Sequence, residues 1–237
     1  LQTAANAYVA PEKRDAARVQ VADAMWALAQ AAEAGSDSQF QFVQALASSA
    51  ATPAQWEIVR QVRAGELALN GLDIDTDLSW QLLVALAAGG AVTAAEIDAA
   101  LAADNTAKGG ELAAQAKAAL PSVAAKQLAW DSLIDTDEQP NTIVRATAAG
   151  FTHPATVAQQ AEFVGAYFDM LLPIWGARTY QIAQYLIVGL YPAAMANAVL
   201  RDATQAWLDA NVDAPAALRR LVNENVATVE RALRVQE

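Results

Sequence analysis

Residues 71 to 90 read GLDIDTDLSWQLLVALAAGG, which is the order of a helix start, an apolar helix and a helix stop. Asp75 and Asp77 stand directly before the apolar run. A carboxylate in this position accepts hydrogen bonds from the free amides of the first turn and stabilises the positive end of the helix dipole. Gly89 and Gly90 provide the stop, since glycine readily adopts the left-handed backbone of a helix end. The stretch therefore predicts a capped, buried α-helix.

The alternate aspartates of the same stretch, Asp73, Asp75 and Asp77, also suggest the start of a calcium-binding loop. A loop of the EF-hand type counted from Asp73 requires glycine at position 6 and glutamate at position 12. Leu78 and Val84 stand at those two positions. Leucine disfavours the left-handed turn and valine supplies no carboxylate, so the helix start is the better interpretation.

Helical spacing of apolar residues continues along the chain, and no stretch alternates convincingly in the manner of a β-strand. Thr52 with Gln55, and Thr93 with Glu96, have the spacing of capping boxes. Further helix starts are predicted at Pro11, Ser36, Thr106, Ser122, Asn141, Pro154, Pro173, Ala193 and Pro215. The buried face of the first helix is predicted to hold Val21, Met25, Leu28 and Ala32.

About a dozen helices with short connections result, so consecutive helices are expected to be antiparallel neighbours. No Ser-rich or Gly-rich linker interrupts them. We therefore predict a single all-α domain over residues 1–237, built of stacked helix hairpins in an irregular solenoid of the HEAT type. Six tryptophans recur along the chain and are interpreted as core. Three of them are predicted to lie between neighbouring helices: Trp80, Trp130 and Trp207.

Composition excludes several partners and sites. The net charge is −11, which argues against nucleic acid because phosphate contacts need clustered Lys and Arg. The absence of cysteine excludes disulfides and fits a reducing, cytoplasmic compartment. The most apolar run, from Tyr185 to Leu200, is shorter than the roughly 18 residues of a membrane span, so no membrane partner is expected. The start LQTAANAYVAPEKRD has neither an initiator methionine nor a secretory signal, and Leu1 is interpreted as a cut.

The sequence contains no catalytic motif that specifies a reaction. His153 is the one histidine, it precedes Pro154, and a solvated or helix-capping imidazole is expected there. Zinc motifs with two histidines are therefore excluded. Asp135 and Asp137 form a carboxylate pair, but DTDEQPN is typical of an exposed turn. An enzyme that uses carboxylates alone stays an open alternative.

The order of short segments along the chain resembles a known family. The segments are LDIDTDLSWQLLVALAAGGAVTAAEIDAALAADNTAKG, preceded by SDSQFQFVQALASSAATPAQ and followed by AKQLAW, NTIVRATAAGF, QIAQYLIVGLYP, DATQAWL, LRRLVNEN and ERALRVQE. Together they resemble the C-terminal helical domain of bacterial aminopeptidase N, of the gluzincin family of zinc aminopeptidases. The resemblance covers essentially the whole chain. Ser79 and Gln181 depart from it, standing where a basic residue and a glutamate are expected.

The resemblance implies that this chain is a bowl of HEAT-like helices at the C-terminal end of a larger enzyme that removes amino-terminal residues from peptides. The family holds zinc through H-E-x-x-H and recognises the free amine through a G-x-M-E-N-like segment, and neither occurs here. The implied partners are the enzyme's own upstream catalytic domain, which carries the zinc, and peptide substrates. No catalytic or metal residue is assigned to this chain. The alternative is a free-standing helical scaffold that binds a partner in its concave face.

Polar residues on otherwise apolar helices are the candidates for the substrate side of such a bowl. Arg145 in NTIVRATAAGF, and Arg178 with Tyr180 in WGARTYQIAQY, are of this kind. An arginine there attracts the carboxylate end of a peptide by charge-assisted hydrogen bonds. The alternative is that each arginine pairs with an acidic neighbour or with helix carbonyls.

Overall fold

The computed structural model describes residues 4–136 and 139–236, and within these ranges the fold is all-α. The helices are α1 (Arg14–Ala31), α2 (Asp37–Ser49), α3 (Pro53–Ala64), α4 (Thr76–Ala88), α5 (Ala94–Ala103), α6 (Ala107–Ala119), α7 (Val123–Ile134), α8 (Asn141–Phe151), α9 (Val157–Gln160), α10 (Val164–Ala177), α11 (Tyr180–Gly189), α12 (Ala198–Ala210) and α13 (Ala216–Gln236). Short π or 3-10 segments lie at Ala4–Tyr8, Pro11–Lys13, Pro154–Thr156, Ala161–Phe163 and Ala193–Met195. The prediction of an all-α chain of about a dozen helices is confirmed.

The helices pair into hairpins that stack in chain order. Contacting pairs are α1 with α2, α3 with α4, α5 with α6, α7 with α8, α10 with α11, and α12 with α13. The second helices of these pairs lie side by side in the order α2, α4, α6, α8, α11, α13. Each hairpin therefore packs on its neighbours, which is the arrangement of a solenoid.

Helix α4 forms as its sequence predicts. The Asp75 carboxylate accepts a hydrogen bond from the Leu78 amide at 2.8 Å, and Gly90 has a left-handed backbone with φ +68° just beyond the helix end. Asp73, Asp75 and Asp77 are exposed, as helix-start carboxylates are expected to be.

The other predicted caps are mostly confirmed. Side-chain oxygens of Ser36, Thr52, Thr93, Thr106 and Ser122 each accept from an amide of the first turn.

Gln55 departs from the capping-box prediction. Its side-chain oxygen accepts from Ala51 instead of Thr52, and its NH₂ donates to the Val19 carbonyl and to Asp23. This glutamine therefore ties α3 to α1.

Two predicted helix starts are wrong. Pro173 lies inside α10, because that helix already begins at Val164, directly after a 3-10 turn. Ala193 begins only a 3-10 turn, and α12 starts after the cap supplied by Asn197. Pro11 and Pro154 each begin a 3-10 turn, and α1 and α9 follow directly at Arg14 and Val157.

The buried face of α1 also differs from the prediction. Ala22, Met25 and Ala29 are buried, whereas Leu28 is 42% exposed. The buried face of α1 therefore follows positions 22, 25 and 29, one residue away from part of the predicted face.

Two apolar clusters fill the array, one from α1 to α6 and the other from α6 to α13. Trp80, Trp130 and Trp207 are only 3%, 8% and 9% exposed, which confirms their predicted place between helices. Trp26, Trp56 and Trp175 are half-buried against the same clusters. No helix in the described ranges is both long and apolar enough to cross a membrane.

The first and last segments of the described chain meet. The segment Ala4–Tyr8 packs against both α1 and α13. The Gln236 side chain donates to the carbonyls of Ala7 and Ala196, and the Arg14 guanidinium donates to the Ala196 carbonyl as well. These bonds connect the first hairpin to the last.

Candidate functional site

A groove of about 780 Å³ lies between α6, α8 and α11, on the layer formed by the second helices of the hairpins. Thr142, Arg145 and Ala149 supply its α8 wall, because residues three and four apart share one helix face. Val144 and Phe151 lie on the buried face of the same helix. Helix α8 thus contributes to the core on one side and to the groove on the other.

Two glycines allow the three helices to approach closely. A Cβ atom added at Gly150 would lie 2.0 Å from the carbonyl oxygen of Gln115 on α6, and one at Gly189 would lie 3.0 Å from the Cβ of Ala148 on α8. Any larger residue at Gly150 would push α6 and α8 apart. The sequence ATAAGF therefore sets the width of the groove floor.

Arg145 lies in this groove with its guanidinium 5.3 Å from the centroid of the Tyr185 ring on α11. The arginine is exposed and makes no hydrogen bond or ion pair with any residue in the described part of the chain. At the α6 side, Lys108 pairs with Glu111 at 3.3 Å. Among the charged groups that line the groove, the positive charge of Arg145 is therefore not neutralised. Because this cation lies over an aromatic face, its N–H groups stay available to an anion.

The other two residues predicted to face peptides lie outside the lining of this groove. Arg178 follows α10 and donates to the carbonyls of Ile134 and Thr136, at the C-terminal end of α7. Tyr180 begins α11, is 48% exposed and accepts a hydrogen bond from Arg220. The structure therefore brings Arg145 together with Tyr185, and not with Arg178 or Tyr180. The contacts of Arg178 favour the alternative in which the guanidinium satisfies helix carbonyls.

His153, the one histidine of the chain, lies at the start of a 3-10 turn. His153 uses Nδ1 to accept from the Ala155 amide, and burial, with smaller contributions from Arg18 and Lys126, lowers its pKa to about 4. Of the two roles expected for this histidine, the structure selects capping. Among residues 4–136 and 139–236, no three His, Asp or Glu side chains are grouped to hold a metal. Asp135 is exposed, and Asp137 lies outside the described residues.

Lys126 is a buried residue that the sequence interpretation missed. Its Nζ donates to the carbonyls of Ala118, Gly150 and Phe151, at 2.6, 3.3 and 2.9 Å. These carbonyls end α6 and α8, so one ammonium satisfies both helix ends behind the groove. Burial lowers the pKa of Lys126 to about 7. The available signal was a lysine four residues before Trp130, on the apolar face of its helix.

These features define a class of helical-repeat domain, in which stacked hairpins present a groove on one layer. The sequence profile of the ERAP1-like C-terminal domain matches residues 1–231, and the chain belongs to that family. It is also 39% identical, over 236 residues, to aminopeptidase N of Streptomyces lividans. The match covers all of this chain and 27% of the relative, so the chain spans about a quarter of the relative's length.

Proposed function

We propose that this chain is the C-terminal accessory domain of a zinc-dependent aminopeptidase that removes amino-terminal residues from peptides. Membership of the ERAP1-like C-terminal domain family and the identity to an aminopeptidase N support this proposal. In it, the upstream part of the same polypeptide is the catalytic domain and holds the zinc. The present chain contributes no catalytic residue. A cytoplasmic location is part of the proposal.

The domain closes over the catalytic domain and forms part of the wall of the substrate chamber. The groove between α6, α8 and α11, with its exposed Arg145, is the observation that carries this role. A volume of about 780 Å³ lies within the roughly 300–1,000 Å³ range of ligand sites, which is enough for part of a peptide. Peptide-facing side chains in this proposal are Arg145 first, and Arg178 and Tyr180 as further candidates.

Arg145 acts on the distant end of the substrate. Its guanidinium attracts a carboxylate of a peptide whose amino end is held at the zinc, by charge-assisted hydrogen bonds. Small single-residue substrates do not extend to this position. The interaction therefore contributes to binding of peptides and not to the chemical step.

Steady-state kinetics of the complete enzyme test this role. Arg145→Ala is expected to raise KM for peptides while sparing single-residue substrates, because only the remote contact is lost. Arg231→Ala, at an exposed arginine of α13, is the matched control and should change neither value. Equal effects of Arg145→Ala on both substrate classes, or none on either, would contradict the role.

Assays of peptidase turnover and zinc binding by the isolated chain distinguish the remaining alternatives. We expect it to show no peptidase turnover and no stoichiometric zinc binding, because its one histidine is committed to a cap. A carboxylate-only enzyme predicts turnover by the isolated chain. A free-standing scaffold predicts that the polypeptide carrying this chain has no chelator-sensitive peptidase activity.

A further inference from the structure

A second pocket, of about 350 Å³, lies between the start of α1 and the segments around residues 154–157 and 194–197. Its walls include the first turns of α1, Pro154 after α8, and the turn before α12. The ionisable side chains in the lining are Arg14, Asp15 and Arg18, which carry two positive charges against one negative charge. In a chain of net charge −11, this is a local excess of positive charge.

Arg18 is the unusual group in this pocket. Of the five N–H groups of a guanidinium, one Nη2 N–H donates to the Ala50 carbonyl at 3.3 Å, and the others have no acceptor among the described residues. Its Nε atom is buried without a partner. Burial lowers the pKa of Arg18, and the charge of Asp15 opposes that effect without forming an ion pair among the described residues. Arg18 as a whole is half-buried, and a buried N–H without an acceptor, as at its Nε, is costly unless a partner supplies one.

Arg14 contributes its positive charge to the pocket but no free N–H group, because carbonyl groups already accept from its donor nitrogens. Its Nε donates to Val9, Nη1 to Ala194 and Met195, and Nη2 to Ala7 and Ala196, all through neutral carbonyls. These carbonyls hold the guanidinium in place and carry no charge, whereas Glu12, outside the lining, acts on it through its negative charge.

Two further residues, His153 beside the pocket and Asn197 in its lining, are consistent with a site that binds an anion. His153 precedes Pro154 of the wall, and Arg18 and Lys126 help burial to lower its pKa. Asn197 uses its side-chain oxygen to cap α12, so its NH₂ group is the part left to interact with a ligand. Arg18 and Asn197 thus add N–H donors to the same lining.

We propose that this pocket binds a small oxyanion, a phosphate or carboxylate group, through the unused N–H groups of Arg18, with Arg14 as the second positive charge. Guanidinium groups match the planar pairs of oxygens of carboxylates and phosphates. This site is separate from the α6, α8 and α11 groove and does not depend on the proposed peptidase function.

Thermal unfolding of the 237-residue chain in three salts of equal ionic strength tests the site. Sodium chloride is the reference, and sodium phosphate and sodium acetate are the two probes. A ligand at ten times its Kd is expected to raise Tm by about 3–6 °C, and the rise should grow with the logarithm of the ligand concentration above Kd. The probe with the larger rise identifies whether phosphate or carboxylate is preferred.

Arg18→Gln is expected to lose this rise, whereas Arg234→Gln, at an exposed arginine of α13, should retain it. General stabilisation by phosphate would raise Tm equally in both variants, and that result would overturn the proposal. The absence of any rise beyond chloride with either probe would overturn it as well.

Phenylglyoxal modification of the unaltered protein keeps the test valid if Arg18→Gln does not fold. Modification of Arg18, mapped by mass spectrometry, should be slowed at least tenfold by the preferred anion while Arg234 is modified at an unchanged rate. Equal rates at Arg18 with and without the anion would refute the site.

Discussion

The ammonium nitrogen of Lys126 lies 2.9 Å from the carbonyl oxygen of Phe151 and 5.5 Å from the centroid of the Phe151 ring. The same nitrogen donates to Ala118 at the end of α6. One charge therefore meets the negative ends of two helix dipoles and an aromatic face. Because α6 and α8 form two walls of the groove, Lys126 helps to set the geometry of the candidate site from behind.

Replacing Lys126 by methionine keeps a long apolar side chain but removes the ammonium. Three buried carbonyls then lose their donor, so Lys126→Met is expected to lower the free energy of unfolding by about 3 kcal/mol. Urea unfolding at pH 6 measures the loss. Lys108→Met, at an exposed lysine of the groove rim, is the control and should change stability by less than about 0.5 kcal/mol. Equal stability of Lys126→Met and the unaltered protein would contradict the role.

The lowered pKa of Lys126 predicts a pH dependence of stability. Between about 7 and the ordinary value of 10.5, the unfolded chain retains a proton that the folded protein has lost. The free energy of unfolding therefore rises with pH across this window, by at most about 1.4 kcal/mol per pH unit, and the slope disappears below pH 7. Subtracting the profile of Lys126→Met removes the contributions of other groups. A flat difference between pH 7 and pH 9 would show that the lysine keeps an ordinary pKa.

His153 predicts a second, acidic window. Its pKa is lowered from 6.5 to about 4, so between these values the unfolded chain binds a proton that the folded protein does not. Stability should therefore fall as pH falls from 6.5 to 4. His153→Asn retains a capping oxygen for the Ala155 amide and should remove this part of the loss. NMR titration measures the pKa directly, and a value at or above 6.5 would contradict the prediction.

Local signals predicted the helix starts well, because a cap depends on residues within one turn. Asp75, Ser36 and Thr93 could be assigned from their own neighbours. Leu28 could not, because helical spacing allows two overlapping faces of α1 and only the contact with α2 selects between them. Pro173 was misplaced for a related reason. Proline is typical of a first turn, but α10 had already begun nine residues earlier.

The candidate site was only partly accessible from sequence. Arg145 stood out as a polar residue on an apolar helix. Its partner Tyr185 did not, since the contact joins α8 to α11 across 40 residues. Lys126 and Arg18 were missed because their roles depend on carbonyl groups and a cavity that segments distant in the sequence supply. Arg178 carried the same sequence signal as Arg145, yet the structure gives it carbonyl partners at the end of α7.

Trp80 provides a test of the core. Its indole N–H donates to the Asp104 carboxylate at 2.8 Å, which joins α4 to the end of α5. Trp80→Ala is expected to cost about 3–5 kcal/mol of stability, and Trp80→Phe about 1–3 kcal/mol through the lost hydrogen bond and part of the ring. Trp175→Ala, at a half-buried tryptophan, should cost less than Trp80→Ala. Losses below about 1 kcal/mol for alanine at Trp80, Trp130 and Trp207 alike would contradict a core role.

Gly150 and Gly110 offer a matched pair on the two helices that meet behind the groove. A Cβ at Gly110 of α6 meets nothing within 4 Å, whereas one at Gly150 of α8 meets the Gln115 carbonyl oxygen. Gly110→Ala should therefore stabilise the protein by up to about 1 kcal/mol, because alanine favours the helix.

Gly150→Ala gains the same helix preference but forces α6 away from α8, and overpacking of this kind costs about 1–3 kcal/mol or more. The displacement also stretches the Lys126 bonds that join both helix ends, so the net result is expected to be a loss. Urea unfolding of the two variants side by side measures the contrast. Equal stability of Gly150→Ala and Gly110→Ala would contradict the close contact between α6 and α8 at Gly150. It would also contradict the role of Gly150 in setting the width of the groove floor.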